Sequence, residues 1–135
     1  MKRFSFAVFA LALLSMQPLS AQVQGQWAGT GAMHSTREFN AQVELATGNV
    51  LSIGGVDNNS SLLASAEVYN SSSGAWTNTS KMAAARELFP AVVLTSGKVL
   101  VSGGLGTGNT VLHAAELYDP TTGVWSSAGS LSGRR

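Results

Sequence analysis

One stretch of the chain constrains its fold more than any other, because it occurs twice. Residues 97–104 and residues 48–55 both consist of a glycine, a short apolar run and a closing glycine pair. An apolar run bounded in this way predicts a β-strand that begins at a tight turn. The corresponding glycines Gly54 and Gly103 lie 49 positions apart. A repeat of this length indicates a chain built from successive similar units.

The repeat extends well beyond these two strands. When residues 37–85 are placed over residues 86–134 without a gap, 15 of the 49 positions are identical. Trp27 lies a further 49 positions before Trp76, so the period continues upstream of the first complete unit. The repeated residues singled out as structural are Arg37, Gly54, Gly55, Glu67, Tyr69, Trp76, Arg86, Gly103, Gly104, Glu116, Tyr118 and Trp125.

Each unit predicts four short strands and no sustained helix. In the second unit the strands are expected over residues 91–94, 99–102, 114–118 and 124–126, separated by turn-forming residues. The glycine-rich residues 105–110 predict an irregular loop. Residues 82–88 favour a helix in composition, but residues 33–39, their copy, do not, so no helix is expected there. The fold class is therefore all-β, with two four-stranded antiparallel sheets.

The repeated residue types suggest how the sheets pack. Tyrosine and tryptophan supply a large apolar surface with one polar group each. Gly103 and Gly104 lack a Cβ where strands crowd together. Repeated charges among apolar residues are expected to be paired. Glu67 and Glu116 should therefore accept hydrogen bonds from a neighbouring backbone turn or from the repeated arginines.

Residues 1–21 have the layout of a secretory signal peptide, expected to be helical: two basic residues, an apolar run and small residues before a cleavage site. The apolar run is too short to span a bilayer, so no membrane span is expected after cleavage, and the mature chain should be secreted or periplasmic. The chain contains no cysteine, so its stability must come from packing. The rest of the chain carries no basic patch, which argues against nucleic-acid binding.

The pattern formed by the repeated arginine, the glycine pair, Ala-Glu-x-Tyr and Gly-x-Trp resembles the kelch repeat. Arg86, Gly104, Glu116, Tyr118 and Trp125 contribute to it in the second unit. The resemblance implies a β-propeller. Residues 22–36 would then end a preceding blade, residues 37–85 would form blade 1 and residues 86–134 blade 2. It implies an interaction module, without enzymatic activity, for a protein or a glycan.

The pattern is also similar to the propeller of galactose oxidase, so an alternative is part of a propeller enzyme whose catalytic residues lie elsewhere. The copper site of that enzyme requires a tyrosine crosslinked to a cysteine, and this chain has no cysteine. The activity is therefore not transferred to this chain. No catalytic residue, cofactor or metal site is predicted, because no convergent set of ligands or nucleophile motif is visible.

The loops that differ between the two units are the candidate binding segments, since loops carry function on a rigid scaffold. They are residues 56–62 and 105–111, with Asp57, Asn58, Asn59, Thr107 and Asn109 as candidate contact residues. The oxygen-rich residues 57–60 could suit calcium, although a polar turn is the favoured interpretation because the second copy lacks the aspartate.

Propellers have about four to eight blades, and a repeat unit cannot bury its faces alone. This sequence contains two complete units. We therefore expect a segment of a longer propeller, with self-association of several chains as the alternative source of further blades.

Overall fold

The structure is a computed structural model that describes residues 28–133. The predicted signal-peptide helix, the predicted strand at Trp27 and the terminal Arg134 and Arg135 lie outside these residues. Within them the chain is all-β, and its helical content is one 3-10 turn at Thr107–Asn109. The predicted fold class is confirmed: the described residues form two four-stranded antiparallel sheets.

The first sheet, blade 1, is a simple meander. Its strands are β1 (Ala41–Glu44), β2 (Val50–Ile53), β3 (Ala66–Asn70) and β4 (Ala75–Asn78), and they lie side by side in that order. All neighbouring strands are antiparallel. Because side chains alternate along a strand, Leu51 and Ile53 point to one face, and Ser52 and Glu67 to the other.

The second sheet, blade 2, repeats this arrangement. Its strands are β5 (Ala91–Val93), β6 (Val99–Ser102), β9 (Ala114–Asp119) and β10 (Val124–Ser130), again in meander order. The predicted strands agree with these to within one residue, except that β10 continues four residues beyond the predicted end at Ser126. A β-bulge between Ser127 and Ser130 allows this extension, and Ser130 pairs with Ala114.

The prediction of an irregular loop at residues 105–110 was wrong. The short strands β7 (Leu105–Gly106) and β8 (Thr110–Val111) pair with each other around the 3-10 turn. The turn closes because Gly108 and Asn109 adopt positive φ angles of 68° and 59°, which these two residue types tolerate. The Thr110 hydroxyl also donates to the carbonyl of Thr107 at 3.0 Å. The glycines therefore make a tight turn that supports pairing.

The hydrophobic core lies between the two blades. Blade 1 contributes Leu51 and Ile53, both fully buried, and blade 2 contributes Val99 and Val101, also fully buried. The remaining buried members of this cluster are Leu45, Ala66, Met82, Phe89, Tyr118 and Trp125. The innermost strands β1 and β5 of the two blades contact each other. Each blade is therefore too thin to have a core of its own, and its stability depends on the neighbouring sheet.

The repeated tyrosine and tryptophan stack in pairs on the outer strands. The ring centroids of Tyr69 and Trp76 are 5.2 Å apart, and those of Tyr118 and Trp125 are 5.1 Å apart. Both pairs are tilted, a favourable geometry for aromatic rings. Burial, with a smaller contribution from the Asp119 charge, raises the pKa of Tyr118.

The segment that joins the blades is tied to both of them. Met82 donates its N–H to the carbonyl of Ala64 in blade 1, and the carbonyl of Arg86 accepts the N–H of Gly55. At the outer rim, the Ser80 hydroxyl donates to the carbonyl of Gly123 at 2.8 Å. These bonds satisfy backbone groups that the strands leave unpaired, and they fix one blade against the other.

Candidate functional site

A buried arginine and glutamate position the loops of blade 2. Arg86 is fully buried and donates to the Glu116 carboxylate at 2.8 Å and to the carbonyls of Gly103 and Ala114 at 2.8 and 3.0 Å. The carboxylate also accepts the backbone N–H groups of Ala83 and Ala84. The pair therefore ties the incoming segment to the strand exits from which the loop 103–114 begins and ends.

Blade 1 uses the same arrangement with one addition. Arg37 donates to Glu67 at 2.8 Å and to the carbonyls of Gly54 and Ser65. Glu67 accepts the backbone N–H groups of His34 and Ser35, and the His34 ring lies 3.0 Å from the same carboxylate. Both kinds of partner foreseen for the repeated glutamates, a backbone turn and the repeated arginine, are therefore present.

These contacts make the stability of blade 1 sensitive to acid. Burial by itself raises the pKa of Glu67, but hydrogen bonds from Arg37, His34 and Ser35 outweigh it and hold the pKa below its ordinary value of 4.5. A lowered pKa contributes stability above the unfolded value, and this contribution is lost as the pH falls through the folded value. We expect the free energy of unfolding to fall below about pH 4.5 and to have a shallower slope there in Glu67→Gln.

The same variant should lose about 1–3 kcal/mol at neutral pH, because the amide cannot accept all of the donors that face the carboxylate. Urea titrations monitored by tryptophan fluorescence at several pH values measure both effects. Glu44→Gln is the matched control, since Glu44 is exposed and its side chain makes no hydrogen bond or ion pair with the described residues. An acid slope that is equal in the two variants would contradict the assignment to Glu67.

The segments that lead into β1 and β5 bring the two variable loops together at one end of the sheets. Glu38 exchanges backbone hydrogen bonds with Val56, and Glu87 does the same with Leu105, all at 2.9 Å. These bonds attach residues 56–62 and 105–111 to the segments that lead into β1 and β5. Between the loops lies an open cleft of about 610 Å³. Its lining is formed by Glu38, Phe39, Val56, Asp57, Asn58, Ser60, Leu62, Glu87, Gly106, Thr107, Gly108 and Asn109.

The cleft lining is acidic and polar. Glu38, Asp57 and Glu87 contribute carboxylates, and the described lining residues include no lysine, arginine or histidine. Unbalanced charge of one sign in a cleft attracts ligands of the opposite sign. Phe39 adds an apolar surface, with 59% of its area exposed. The cleft can therefore receive a partner that combines a positive charge with an apolar group.

The apolar residues beside the cleft have an unusual backbone. Phe39 and its copy Leu88 adopt φ angles of 54° and 52°, and Leu88 is 60% exposed. A bulky residue in this region is rare and costs about 1–3 kcal/mol. The conformation is supported by a hydrogen bond of 3.1 Å from the Leu88 N–H to the Phe39 carbonyl, which links the two blades. Strain held in place at an exposed apolar side chain favours a binding role.

The candidate contact residues from the sequence divide into two groups. Asp57, Asn58, Thr107 and Asn109 line the cleft, whereas Asn59 does not. Asp57 Oδ1 accepts the N–H groups of Asn59 and Ser61 at 2.9 and 2.8 Å, which is the geometry of a polar turn.

Sequence reasoning missed Glu38, Phe39 and Glu87. A signal was present in the sequence, because Arg-Glu occurs at both 37–38 and 86–87. In the structure the arginine side chain of each pair binds a glutamate of its own sheet, whereas the side chain of the adjacent glutamate lines the cleft.

A second, smaller cleft lies at the opposite end of the sheets and has a volume of about 390 Å³. Lys98 and Asp119 line it and form an ion pair of 3.0 Å. Hydrogen bonds from Thr121, and then from Lys98, lower the pKa of Asp119 to about 2. The polar side chains of this smaller cleft already have partners in and beside the turn that joins β9 to β10. The smaller cleft is therefore the weaker candidate for a binding site.

Two kinds of feature are absent from the described residues. Across residues 28–133, no three histidine, cysteine, aspartate or glutamate side chains lie close enough together to hold a metal ion. The same residues contain no helix of the length and hydropathy that crossing a membrane requires.

Comparison with known proteins identifies the architecture. The kelch motif matches residues 42–83 and 88–132. The search of curated proteins found no match. Among solved structures, a fungal alcohol oxidase of the AA5 family in complex with copper superposes with a TM-score of 0.63 at 20% sequence identity. The match covers 73% of this chain and 23% of that protein, so this chain spans about a quarter of its length. The two sheets are thus propeller blades, and the chain belongs to the kelch-motif family.

Proposed function

We propose that the chain is the exported, non-enzymatic part of a longer kelch propeller that binds a protein segment or a glycan in the cleft between residues 56–62 and 105–111. The observation that supports this most directly is the convergence of the two variable loops. They differ in sequence between the blades, yet the same hydrogen bonds from Glu38 and Glu87 hold both against one cleft. A constant frame with variable loops is typical of a recognition surface.

The chemistry of the lining favours a protein segment with basic side chains over a glycan. Glu38, Asp57 and Glu87 would interact with lysine or arginine, and the exposed ring of Phe39 would contact the cation or an adjacent apolar group. The amides and hydroxyls of Asn58, Ser60 and Asn109 could bind a peptide backbone or sugar hydroxyls equally well. The carboxylates therefore decide the preference.

This preference can be tested with immobilised chain and two decapeptide libraries, one with lysine or arginine at alternate positions and one with glutamate. We expect binding to the basic library, weakening as salt is raised. Glu38→Gln together with Glu87→Gln should weaken it roughly three- to tenfold, on the scale of two exposed charge interactions. A glycan array tested in parallel covers the second ligand class.

Glu44→Gln is the control, because it removes one exposed carboxylate outside the cleft lining. Equal binding by the double variant and the control would refute the cleft as the site. Binding on the glycan array that depends on Asn58 and Asn109, without binding to basic peptides, would shift the proposal to a glycan.

A second candidate function is part of a propeller enzyme with its catalytic residues outside this chain. It is favoured by the fold that this chain shares with a copper-containing alcohol oxidase, which is a likeness of fold alone. Sequencing the gene beyond Arg135 separates the candidates. Further units of 49 residues together with cysteine, tyrosine and histidine ligands would support the enzyme, whereas further units without them support the binding module.

A further inference from the structure

Both blades carry a glutamate followed by an exposed apolar residue, with one substitution between the copies. Glu38 is followed by Phe39, and Glu87 is followed by Leu88. The backbones of Phe39 and Leu88 are nearly identical, with φ angles of 54° and 52°, and both side chains are more than half exposed. The copy in blade 2 therefore shows that this backbone does not require an aromatic residue.

The ring of Phe39 is not explained by packing within the described residues. Phe39 is not a member of their hydrophobic core. Its side chain stays exposed although blade 2 lies against it and the Leu88 N–H donates to its carbonyl. Phe39 and Glu38 both line the cleft, whereas Leu88 lies outside the lining. The copy of this dipeptide with the aromatic ring is thus the one that places both of its side chains in the cleft.

The interior of blade 2 shows which group binds a phenyl ring and a carboxylate together in this chain. The Arg86 guanidinium lies 5.8 Å from the centre of the Phe89 ring and donates to Glu116 at 2.8 Å. A guanidinium is planar, so it can stack on a ring and still present two donors in its own plane to a carboxylate. The ammonium of lysine is a strongly hydrated point charge and gains less from this geometry.

We propose that Glu38 and Phe39 make the cleft selective for arginine over lysine. The guanidinium of a bound segment stacks on the Phe39 ring and donates to the Glu38 carboxylate. Asp57 and Glu87 attract either cation, so Phe39 is the residue that determines the specificity. This inference rests on the proposed binding of a basic protein segment and adds which basic side chain that segment carries.

The preference can be measured with two decapeptide libraries that are identical except for arginine in one and lysine in the other at alternate positions. Immobilised wild-type chain should bind the arginine library roughly two- to fivefold more tightly, the scale of one exposed cation–π contact. Phe39→Leu should reduce this ratio to about one, because it removes the ring and leaves the carboxylates. Phe39→Tyr keeps an aromatic ring and should keep the ratio.

Leu88→Phe is the matched control. It adds an exposed ring on the same backbone but outside the cleft lining, so it should leave the ratio unchanged. Phe39→Leu is compatible with the fold, since blade 2 already holds a leucine in this conformation. Thermal unfolding followed by circular dichroism should give all three variants the melting temperature of the wild type to within a few degrees.

The possible failures are distinguishable. Equal binding of the two libraries by the wild-type chain would overturn the selectivity and leave the cleft as a general site for basic segments. An arginine preference that persists in Phe39→Leu, or one that Leu88→Phe increases, would overturn the role of Phe39. Failure of both libraries to bind would refute the proposed function itself.

Discussion

Replacement of Arg86 by methionine should lower the free energy of unfolding by about 3–5 kcal/mol, the cost of removing one partner from a buried ion pair. The guanidinium is fully buried and donates to Glu116 and to two backbone carbonyls, all within 3.0 Å. It also lies 5.8 Å from the centre of the Phe89 ring. Without it, the buried Glu116 carboxylate would keep only backbone donors. Urea unfolding followed by tryptophan fluorescence measures the loss.

Lys98→Met is the control, because it also replaces a cation that is paired with a carboxylate. The Lys98 and Asp119 side chains are 41% and 25% exposed, so solvent screens their pair and Lys98→Met should destabilise the chain much less than Arg86→Met does. Combining Arg86→Met with Glu116→Gln should cost less than the sum of the single changes, since the charge left behind by the first is removed by the second. Similar losses in Arg86→Met and Lys98→Met would contradict the structural role of the buried pair.

The buried arginine and glutamate also show how much of the packing could be predicted from the sequence. Charges repeated at Arg37, Glu67, Arg86 and Glu116 among apolar residues implied pairing, because isolated buried charges are too costly to keep. Whether Glu67 and Glu116 bind an arginine or a backbone turn could not be predicted from the sequence. Each carboxylate has room for several donors, and in the structure each accepts from both the arginine and a backbone turn.

Fewer of the cleft residues could be predicted from the sequence. The variable loops could be identified as binding candidates because they differ between copies, but Glu38 and Glu87 are identical in the two units and were not singled out. The residues that follow them, Phe39 and Leu88, adopt positive φ angles. No local pattern indicates such a conformation for bulky residues, because the hydrogen bond between the blades holds it in place.

The two sheets differ in polarity at equivalent positions of the repeat, but the sequence alone does not show what that difference means for packing. Gln42 and Ala91 are aligned by the repeat, as are Glu44 and Val93. Whether these positions are buried or exposed depends on which side of each strand faces the other blade. The alternation of side chains along a strand does not determine that side until the interface is known.

The second large effect is expected for Gly104→Ala. Gly104 has a φ angle of 88°, and an added Cβ would lie 2.6 Å from the Glu87 carbonyl oxygen and 2.7 Å from the Phe89 Cβ. Glu87 is bonded to Leu105 through both of its backbone groups, and Phe89 is buried in the hydrophobic core, so neither neighbour is free to move. Overpacking of this kind costs about 1–3 kcal/mol in addition to the backbone strain of alanine at positive φ. Thermal unfolding followed by circular dichroism measures the total.

Gly97→Ala separates the two contributions, because Gly97 has a similar φ angle of 81° but no atom within 4 Å of an added Cβ. It should show the backbone strain alone, about 1–2 kcal/mol. Gly104→Ala should also weaken ligand binding in the cleft, since Glu87 lines it and its backbone is displaced by the new methyl group. Equal stability of the two variants would mean that the backbone at Glu87 and Phe89 can move aside at no cost. The close approach at Gly104 would then not require a glycine.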